Sequence, residues 1–283
     1  MEQKTKVNAE DGKQDLVITR EFDLPLDLLF RAYAEPELIE QWMGTKVLKL
    51  ENKKYGGWQF ETTDPKGNKH GFSGVIHEFS PNRKITRTFE MANTPFGVQL
   101  EITEFEKLTD ETSKVSMHVI YESVAQRDEV LKLPFAKGIN WAHNRMEELL
   151  KTLNNIKMEK RKLIWYWIIT GILSFCIFFG GLTQALQLKE TVQGFKPLGY
   201  PTYFISLIGI WKVLGIIAIL MPGFKLLKEW AYAGIFFTMT GAVISHIASN
   251  DIHPQIIAPA VLAIFTVLSW YLRPADRRIV SVT

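Results

Sequence analysis

KRKLIWYWIITGILSFCIFFGGLT, from Lys160 to Thr183, divides the chain. From Leu163 onward the stretch carries no charged residue, and at 1.5 Å of rise per helical residue it covers about 31 Å, the thickness of a bilayer core. The half before it is polar and rich in strand patterns. The half after it holds three more apolar stretches, Pro201–Met221, Trp230–Ile247 and Gln255–Leu272. Composition over all 283 residues, 47% hydrophobic and 22% charged, averages two different solvents and hides the division. The reading is a first domain over 1–156 and a membrane domain over 157–283, with spans at about 163–183, 201–221, 230–247 and 255–272.

Lysine and arginine beside those stretches set an expected orientation, because cytoplasmic loops retain positive charge. Lys157, Lys160, Arg161 and Lys162 precede the first span, Lys225 and Lys228 join the second to the third, and Arg273, Arg277 and Arg278 follow the fourth. The opposite loops hold only Lys189 and Lys196. A multi-pass protein of the cell membrane with both termini in the cytoplasm is expected. Met1-Glu2-Gln3-Lys4 has no apolar core, so no signal peptide is expected there. Cys176, the sole cysteine, lies in the first span, which excludes disulfides and CxxC chemistry within one chain. The formal charge of +3 gives no nucleic-acid footprint. Lys66, Lys69, Arg83, Lys84 and Arg87 alternate with acids or sit at turns, the pattern of a solvated face.

In the first half, Leu16-Val17-Ile18-Thr19-Arg20 begins as a strand, and Pro25 opens a helical stretch carrying Leu28, Leu29, Ala32 and Leu38. Strand patterns then alternate with turn chemistry: Trp58/Phe60, the turn Asp64-Pro65-Lys66-Gly67-Asn68, Phe72 to Phe79, the turn Ser80-Pro81-Asn82, and Ile85/Arg87/Phe89/Met91. Val98/Leu100/Ile102 and Val115/Met117/Val119/Tyr121 continue the alternation and predict a sheet with one buried face. Pro134 starts a helix whose stripe is Ile139, Ala142, Met146, Leu149, Leu150 and Leu153. This order predicts an α+β helix-grip, an antiparallel sheet wrapping a long C-terminal helix with a cavity between them, followed by an all-α four-helix transmembrane bundle. No proline or glycine falls between Ile139 and Gly171, so the closing helix is expected to run into the first span unless Asn154-Asn155 breaks it.

LVITREFDLPLDLLFRAYAEPELIEQWMG at Leu16–Gly44, YGGWQF at Tyr55–Phe60 and GFSGVIHEFSPNRKITRTF at Gly71–Phe89 resemble the SRPBCC (START/Bet v-like) superfamily, in the AHSA-type branch named for heat-shock-protein-90 ATPase activator homologues. That resemblance implies the helix-grip fold, an apolar ligand, or a co-chaperone-like partner. LIGIWKVLGIIAILMPGFKLLKEWAYAGIFF at Leu207–Phe237 and SHIASNDIHP at Ser245–Pro254 resemble the DoxX-like membrane proteins, a four-helix group with some relatives in quinol oxidase or thiol-stress complexes.

Trp42, Trp58, Phe60, Phe72, Phe89, Met117 and Trp141 are the candidate lining of a cavity under the closing helix, although alternating aromatics also serve simply as core. His70, His77, His118 and His143 show no HxH or HxxxH spacing, so no metal site is expected. GxSxG, GxGxxG and GxxxxGK[ST] are absent, and Glu104, Glu106, Glu147 and Glu148 read as solvated, so no catalytic assignment follows.

In the membrane half, Lys212 lies mid-span, about 16 Å by helical rise from Pro201 and 14 Å from Met221, beyond the roughly 6 Å reach of its stem. A lysine at that depth costs roughly 3 kcal/mol on insertion scales, which calls for an interior partner or a role. Gly209 and Gly215 flank it and predict a close helix contact. Ala231, Gly234, Thr238, Gly241, Ser245 and Ala248 predict a packing seam. Glu229 marks one end of the third span and His246 the other, near Asp251 and His253. In the resemblance to the DoxX-like proteins, Lys212, Glu229 and His246 occupy the polar positions of the pattern, and they are the candidate membrane polar site. No cofactor is required by these residues, and a quinone enters only through the resemblance. Three functional classes stay open: a binder of an apolar small molecule coupled to the bundle, a membrane-anchored protein-interaction module, and a subunit of a quinone-linked redox complex.

Overall fold

The computed structural model describes residues 4–64, 66–250 and 255–279. Pro65, Asp251, His253 and Pro254 lie outside the described residues. Two compact units divide the chain, Met1–Asn155 and Ile156–Thr283.

The first unit is an eight-stranded antiparallel sheet with helices. Its strands are β1 (Lys6–Asn8), β2 (Asp15–Phe22), β3 (Lys46–Leu50), β4 (Gly57–Thr63), β5 (Lys69–Ser80), β6 (Lys84–Met91), β7 (Val98–Lys107) and β8 (Ser113–Ile120). They lie in the order β1-β2-β8-β7-β6-β5-β4-β3. Helices α1 (Leu26–Ala34) and α2 (Pro36–Met43) follow β2, α3 (Val124–Lys132) follows β8, and α4 runs from Phe135 to Ala185. Local chemistry places the breaks. Glu35 is extended because Pro36 follows it, and Gly44 ends α2 in the left-handed region at φ 67°. The Ser123 hydroxyl accepts from the amide of Gln126 and starts α3.

Met146 and Leu150 of α4 are fully buried against Phe22, Leu29, Trp42, Ile85 and Phe105, so the expected apolar stripe is the face laid on the sheet. Opposite Trp58 on β5 stands Gly74, where a Cβ would meet the Thr88 carbonyl oxygen at 1.9 Å. Only glycine leaves room there for the Trp58 indole N–H to reach that carbonyl at 3.1 Å. β1, β3 and α3 have no counterpart in the sequence reading, being short and weakly patterned.

β7 reverses its expected facing. Val98, Leu100 and Ile102 were the expected inward row, yet the buried residues are Gln99, Glu101, Thr103 and Phe105. A shift of one residue moves every side chain to the other face, and pairing with β6 decides it here, because Glu101 stands directly opposite Arg87. An inward carboxylate is tolerated where a cation on the next strand neutralises it.

α4 is one 51-residue helix that contributes to both units, and Asn154 and Asn155 are helical. The second unit continues with α5 (Lys189–Phe195), a 3-10 turn at Lys196–Leu198, α6 (Thr202–Leu220), α7 (Lys225–Ala248), α8 (Ile257–Leu272) and a 3-10 turn at Ala275–Arg277. α4, α6 and α7 are long and apolar enough to cross a membrane. α8 has 16 residues, about 24 Å of rise, and falls short of the length expected of a fourth span. Outward residues such as Ile164, Trp165 and Phe175 are apolar and exposed, as a hydrocarbon solvent requires.

Leu173, Ile177, Ile216, Ile219, Tyr232, Ile235 and Met239 form the core of this unit. A buried hydroxyl chain crosses it, with Ser269 Oγ 2.6 Å from Thr170 Oγ1 and 2.8 Å from Tyr232 Oη. At Gly209 a Cβ would meet the Gly181 carbonyl oxygen at 2.5 Å, so α4 and α6 touch backbone to backbone at that crossing.

Candidate ligand cavity and membrane polar groups

A cavity of about 320 Å³ lies in the first unit between the sheet, α1, α2 and the start of α4. Its walls are mostly apolar, with Ile18, Ile39, Met117, Val119 and Ile139 among them. Met43 and Leu133 line it and are exposed, so it reaches solvent beside them. Arg87, Gln99, Glu101, Tyr33, Tyr121 and His143 supply its polar atoms.

Those polar atoms are largely committed to one another. Arg87 Nε donates to Glu101 Oε2 at 2.7 Å, and its guanidinium lies 4.5 Å from the Trp58 ring centroid. Tyr33 Oη is 3.2 Å from His143 Nε2, and His143 Nδ1 is 3.1 Å from Thr5 Oγ1. Behind them Arg20, buried on the same face as Leu16, Ile18 and Phe22, donates to Asn144 Oδ1 and Glu147 Oε2 at 2.6 Å each. Lys151 donates to the other Glu147 oxygen at 2.8 Å.

Burial, with the nearby Arg20 charge as the lesser cause, pushes His143 down to about 3, so its imidazole is neutral. Burial, with the Glu101 charge as the lesser cause, pushes Tyr121 up to about 12, and burial raises Tyr33 as well. Burial alone would raise Glu147, but its bonds from Lys151 and Arg20 outweigh it and leave the carboxyl lowered. The cavity therefore presents two protonated phenols, a neutral imidazole, an amide and an internally neutralised ion pair.

In the second unit, Lys212 and His246 line one pocket of about 600 Å³ together with Tyr200, Phe204, Thr238, Gly241 and Ser245. Glu229 is elsewhere. It accepts from Trp270 Nε1 at 2.7 Å and from Arg273 at 2.8 Å, near the start of α7. Lys228 is fully buried and donates to the carbonyls of Ala218 and Ile219 at 2.8 and 2.9 Å and to that of Met221. Arg277 adds a bond to the Ile219 carbonyl at 3.0 Å. These two cations cap the C-terminal end of α6, where carbonyls lack helical partners and the helix dipole favours positive charge.

Two family profiles match the chain. Residues 23–151 match the activator of Hsp90 ATPase homolog 1-like proteins, and residues 168–269 match the DoxX-like family. The chain joins an activator-homologue domain to a DoxX-like domain. Similar solved structures include a Mycobacterium smegmatis protein, 22% identical, with 52% of this chain and 96% of that one covered at a TM-score of 0.48. A Rhodobacter sphaeroides protein is 19% identical over 52% and 99% at 0.48, and an Arthrobacter aurescens protein 16% identical over 52% and 91% at 0.49. Likenesses at these scores carry no functional weight. No curated protein matches the chain significantly.

Of the seven lining candidates in the activator-homologue domain, Trp42, Phe60, Phe89 and Met117 line the cavity. Trp58 is instead core, buried beside Ile39, Phe60 and Ile76, with Phe72 packed against that cluster. Trp141 is 48% exposed and faces away, 5.6 Å from the Arg145 guanidinium. It lies one residue before Ala142, which lines the cavity, and one helical position turns a side chain by about 100°. Arg87 and Glu147, both expected in solvated positions, are paired and largely buried. Arg20, Tyr33, Gln99 and Glu101 were not singled out, and His143 was weighed only as a metal ligand. Strand parity carried the signal for Arg20, which shares a face with Leu16 and Ile18, and for Arg87, which shares one with Ile85 and Phe89.

The DoxX-like domain corrects two expectations. Gly234 and Gly241 have nothing within 4 Å of a Cβ position, so the small-residue stripe of α7 makes open space. The buried seam of that helix is Tyr232, Ile235 and Met239. Lys228, counted as a loop charge, is an interior helix cap.

Proposed function

We propose that the protein is a membrane-associated binding protein whose activator-homologue domain holds one apolar small molecule bearing a neutral hydrogen-bonding group. The carrying observation is the cavity itself. A space of about 320 Å³ falls within the range of small-molecule sites, and its walls combine a broad apolar surface with a few convergent polar atoms. Arg87 and Glu101 cancel each other, so neither sign of ligand charge is favoured. The Tyr33 hydroxyl, which keeps a further bonding position beyond its bond with His143, and the Gln99 amide favour a hydroxyl, carbonyl or amide on an otherwise apolar body. In this proposal the domain lies on the cytoplasmic side, supported by the basic residues before the first span and by Lys225 and Arg278.

Native mass spectrometry of the full-length protein, purified in mild detergent, tests the binding. A stoichiometric small-molecule adduct on the wild-type chain is expected, and Val119→Trp, which fills the cavity from β8, is expected to be bare. An adduct retained by Val119→Trp would place the ligand outside the cavity. A bare wild-type chain would count against binding and favour the interaction-module class.

A further inference from the structure

We infer that the groove between α6 and α7 is a binding site for an anionic amphiphile, with Lys212 holding the headgroup and the helix groove holding the chain. The site is separate from the cavity described above and does not rest on its occupancy.

Two pockets meet at Lys212 and Thr238. One, about 600 Å³, is formed by the first half of α6, the second half of α7 and the segment Thr191–Tyr200. The other, about 340 Å³, continues along the second half of α6 and the first half of α7, past Leu214, Gly215, Ala218, Ala231 and Gly234. Together they make one elongated space along two antiparallel helices, polar at the joint and apolar beyond it. The stripe Gly234, Thr238 and Gly241 keeps it open, since a Cβ at either glycine would touch nothing within 4 Å. Trp211, Trp230 and Phe237, each at least 66% exposed, form its rims.

The hydrogen-bond inventory sets the chemistry. Thr238 Oγ1 donates to the Gly234 carbonyl at 2.6 Å, Ser245 Oγ to the Gly241 carbonyl at 2.9 Å, and Tyr200 Oη lies 2.7 Å from Ser245 Oγ. Those hydroxyl protons are already committed. The Lys212 ammonium makes no hydrogen bond or ion pair among the described residues, and no described residue lining either pocket is acidic. Three N–H donors and a positive charge at membrane depth thus face a space offering few acceptors. A carboxylate or phosphate supplies both acceptors and countercharge, and a buried charge without them is costly. An acyl chain attached to it fits the apolar continuation.

Such a head belongs either to a free fatty acid or to an acidic membrane lipid. Full-length protein carrying Val119→Trp, so that the first cavity cannot take the alcohol, is titrated in neutral detergent with palmitate, with phosphatidylglycerol and with hexadecanol, and retention is read by native mass spectrometry. One palmitate or one phosphatidylglycerol per chain is expected, with hexadecanol retained at least about tenfold more weakly, as loss of a charge-assisted bond dictates. Selective palmitate retention identifies a free amphiphile, and selective phosphatidylglycerol retention a membrane lipid. Lys212→Met should lose the anionic ligand by about the same factor. Gly241→Leu, which fills the pocket without removing charge, should lose it too. Equal retention of hexadecanol, unchanged retention in both variants, or a dimer that retains no lipid would each overturn the inference.

Discussion

The two cation-bearing spaces of this molecule solve the same problem differently. In the activator-homologue domain, Arg87 enters the cavity wall with Glu101 opposite it on the neighbouring strand, side chains 18% and 11% exposed. In the DoxX-like domain, Lys212 enters the α6/α7 space with no acid among the described lining residues. A neutralised wall discriminates by shape and hydrogen bonding, whereas an uncompensated cation discriminates by charge. Removing the cation should therefore have opposite consequences in the two places.

The sharpest way to break this contrast is to make the same kind of replacement in both. Arg87→Met strands Glu101 in the cavity wall and is expected to destabilise the activator-homologue domain by about 3 kcal/mol. Arg87→Met combined with Glu101→Leu should recover most of that loss, because the pair goes together. Chemical denaturation followed by the sheet signal in circular dichroism measures both. Lys212→Met should leave the melting of the DoxX-like helices unchanged or raise it. A single Arg87 variant as stable as the wild type would mean that the Glu101 carboxylate is well solvated and the wall is not neutralised as described.

Lys228 gives a second contrast within the membrane unit. Unlike Lys212 it has partners, three carbonyls at the end of α6. Lys228→Met leaves those acceptors short of donors and should cost about 2 kcal/mol, read as a lowered unfolding midpoint of the helical signal in detergent. If Lys228→Met and Lys212→Met behave alike, the distinction between a capping and an uncompensated lysine fails.

How much of this was legible in the sequence depends on what each residue needed from elsewhere. The two-domain division, the antiparallel sheet and the α4 stripe followed from local period and turn chemistry. The inward face of β7 did not. Leu100 and Ile102 are the apolar parity, and only the pairing of Glu101 with Arg87 across β6 turns the polar parity inward. Trp141 failed for a similar reason, since one helical position separates a cavity-lining side chain from an exposed one. Lys212 was legible because a cation within an apolar span is anomalous by itself. The company it keeps was not, as Gly234 and Gly241 read as a packing seam, whereas nothing lies within 4 Å of a Cβ at either.

Below these effects lies the pH response of the buried network. His143 sits near 3 in the fold against about 6.5 in an unfolded chain. Above pH 6.5 neither state is protonated and the residue is neutral for stability. Between about 6.5 and 3 the unfolded state binds the proton first, so stability falls as pH falls, by about 1.4 kcal/mol per pH unit for this residue alone. His143→Gln keeps a side chain able to bond Tyr33 and Thr5 and should flatten that slope between pH 6 and 4. An unchanged slope would assign the acid response to carboxylates such as Glu147, whose lowered pKa gives a loss of the same sign at lower pH.

Trp141→Ala should have the smallest effect, and it tests the facing of α4 directly. The indole is half exposed and its one described aromatic contact is with Arg145, a surface cation-π interaction worth about 0.5–1 kcal/mol. Stability should therefore change by no more than about 1 kcal/mol, and the occupancy of the cavity not at all. Trp42→Ala removes a buried lining side chain whose indole N–H also holds the Ala32 carbonyl at 2.8 Å, and both properties should suffer. Should Trp141→Ala empty the cavity while Trp42→Ala leaves it filled, the binding face would be the outer surface of α4, and the site between sheet and helix would be the wrong one.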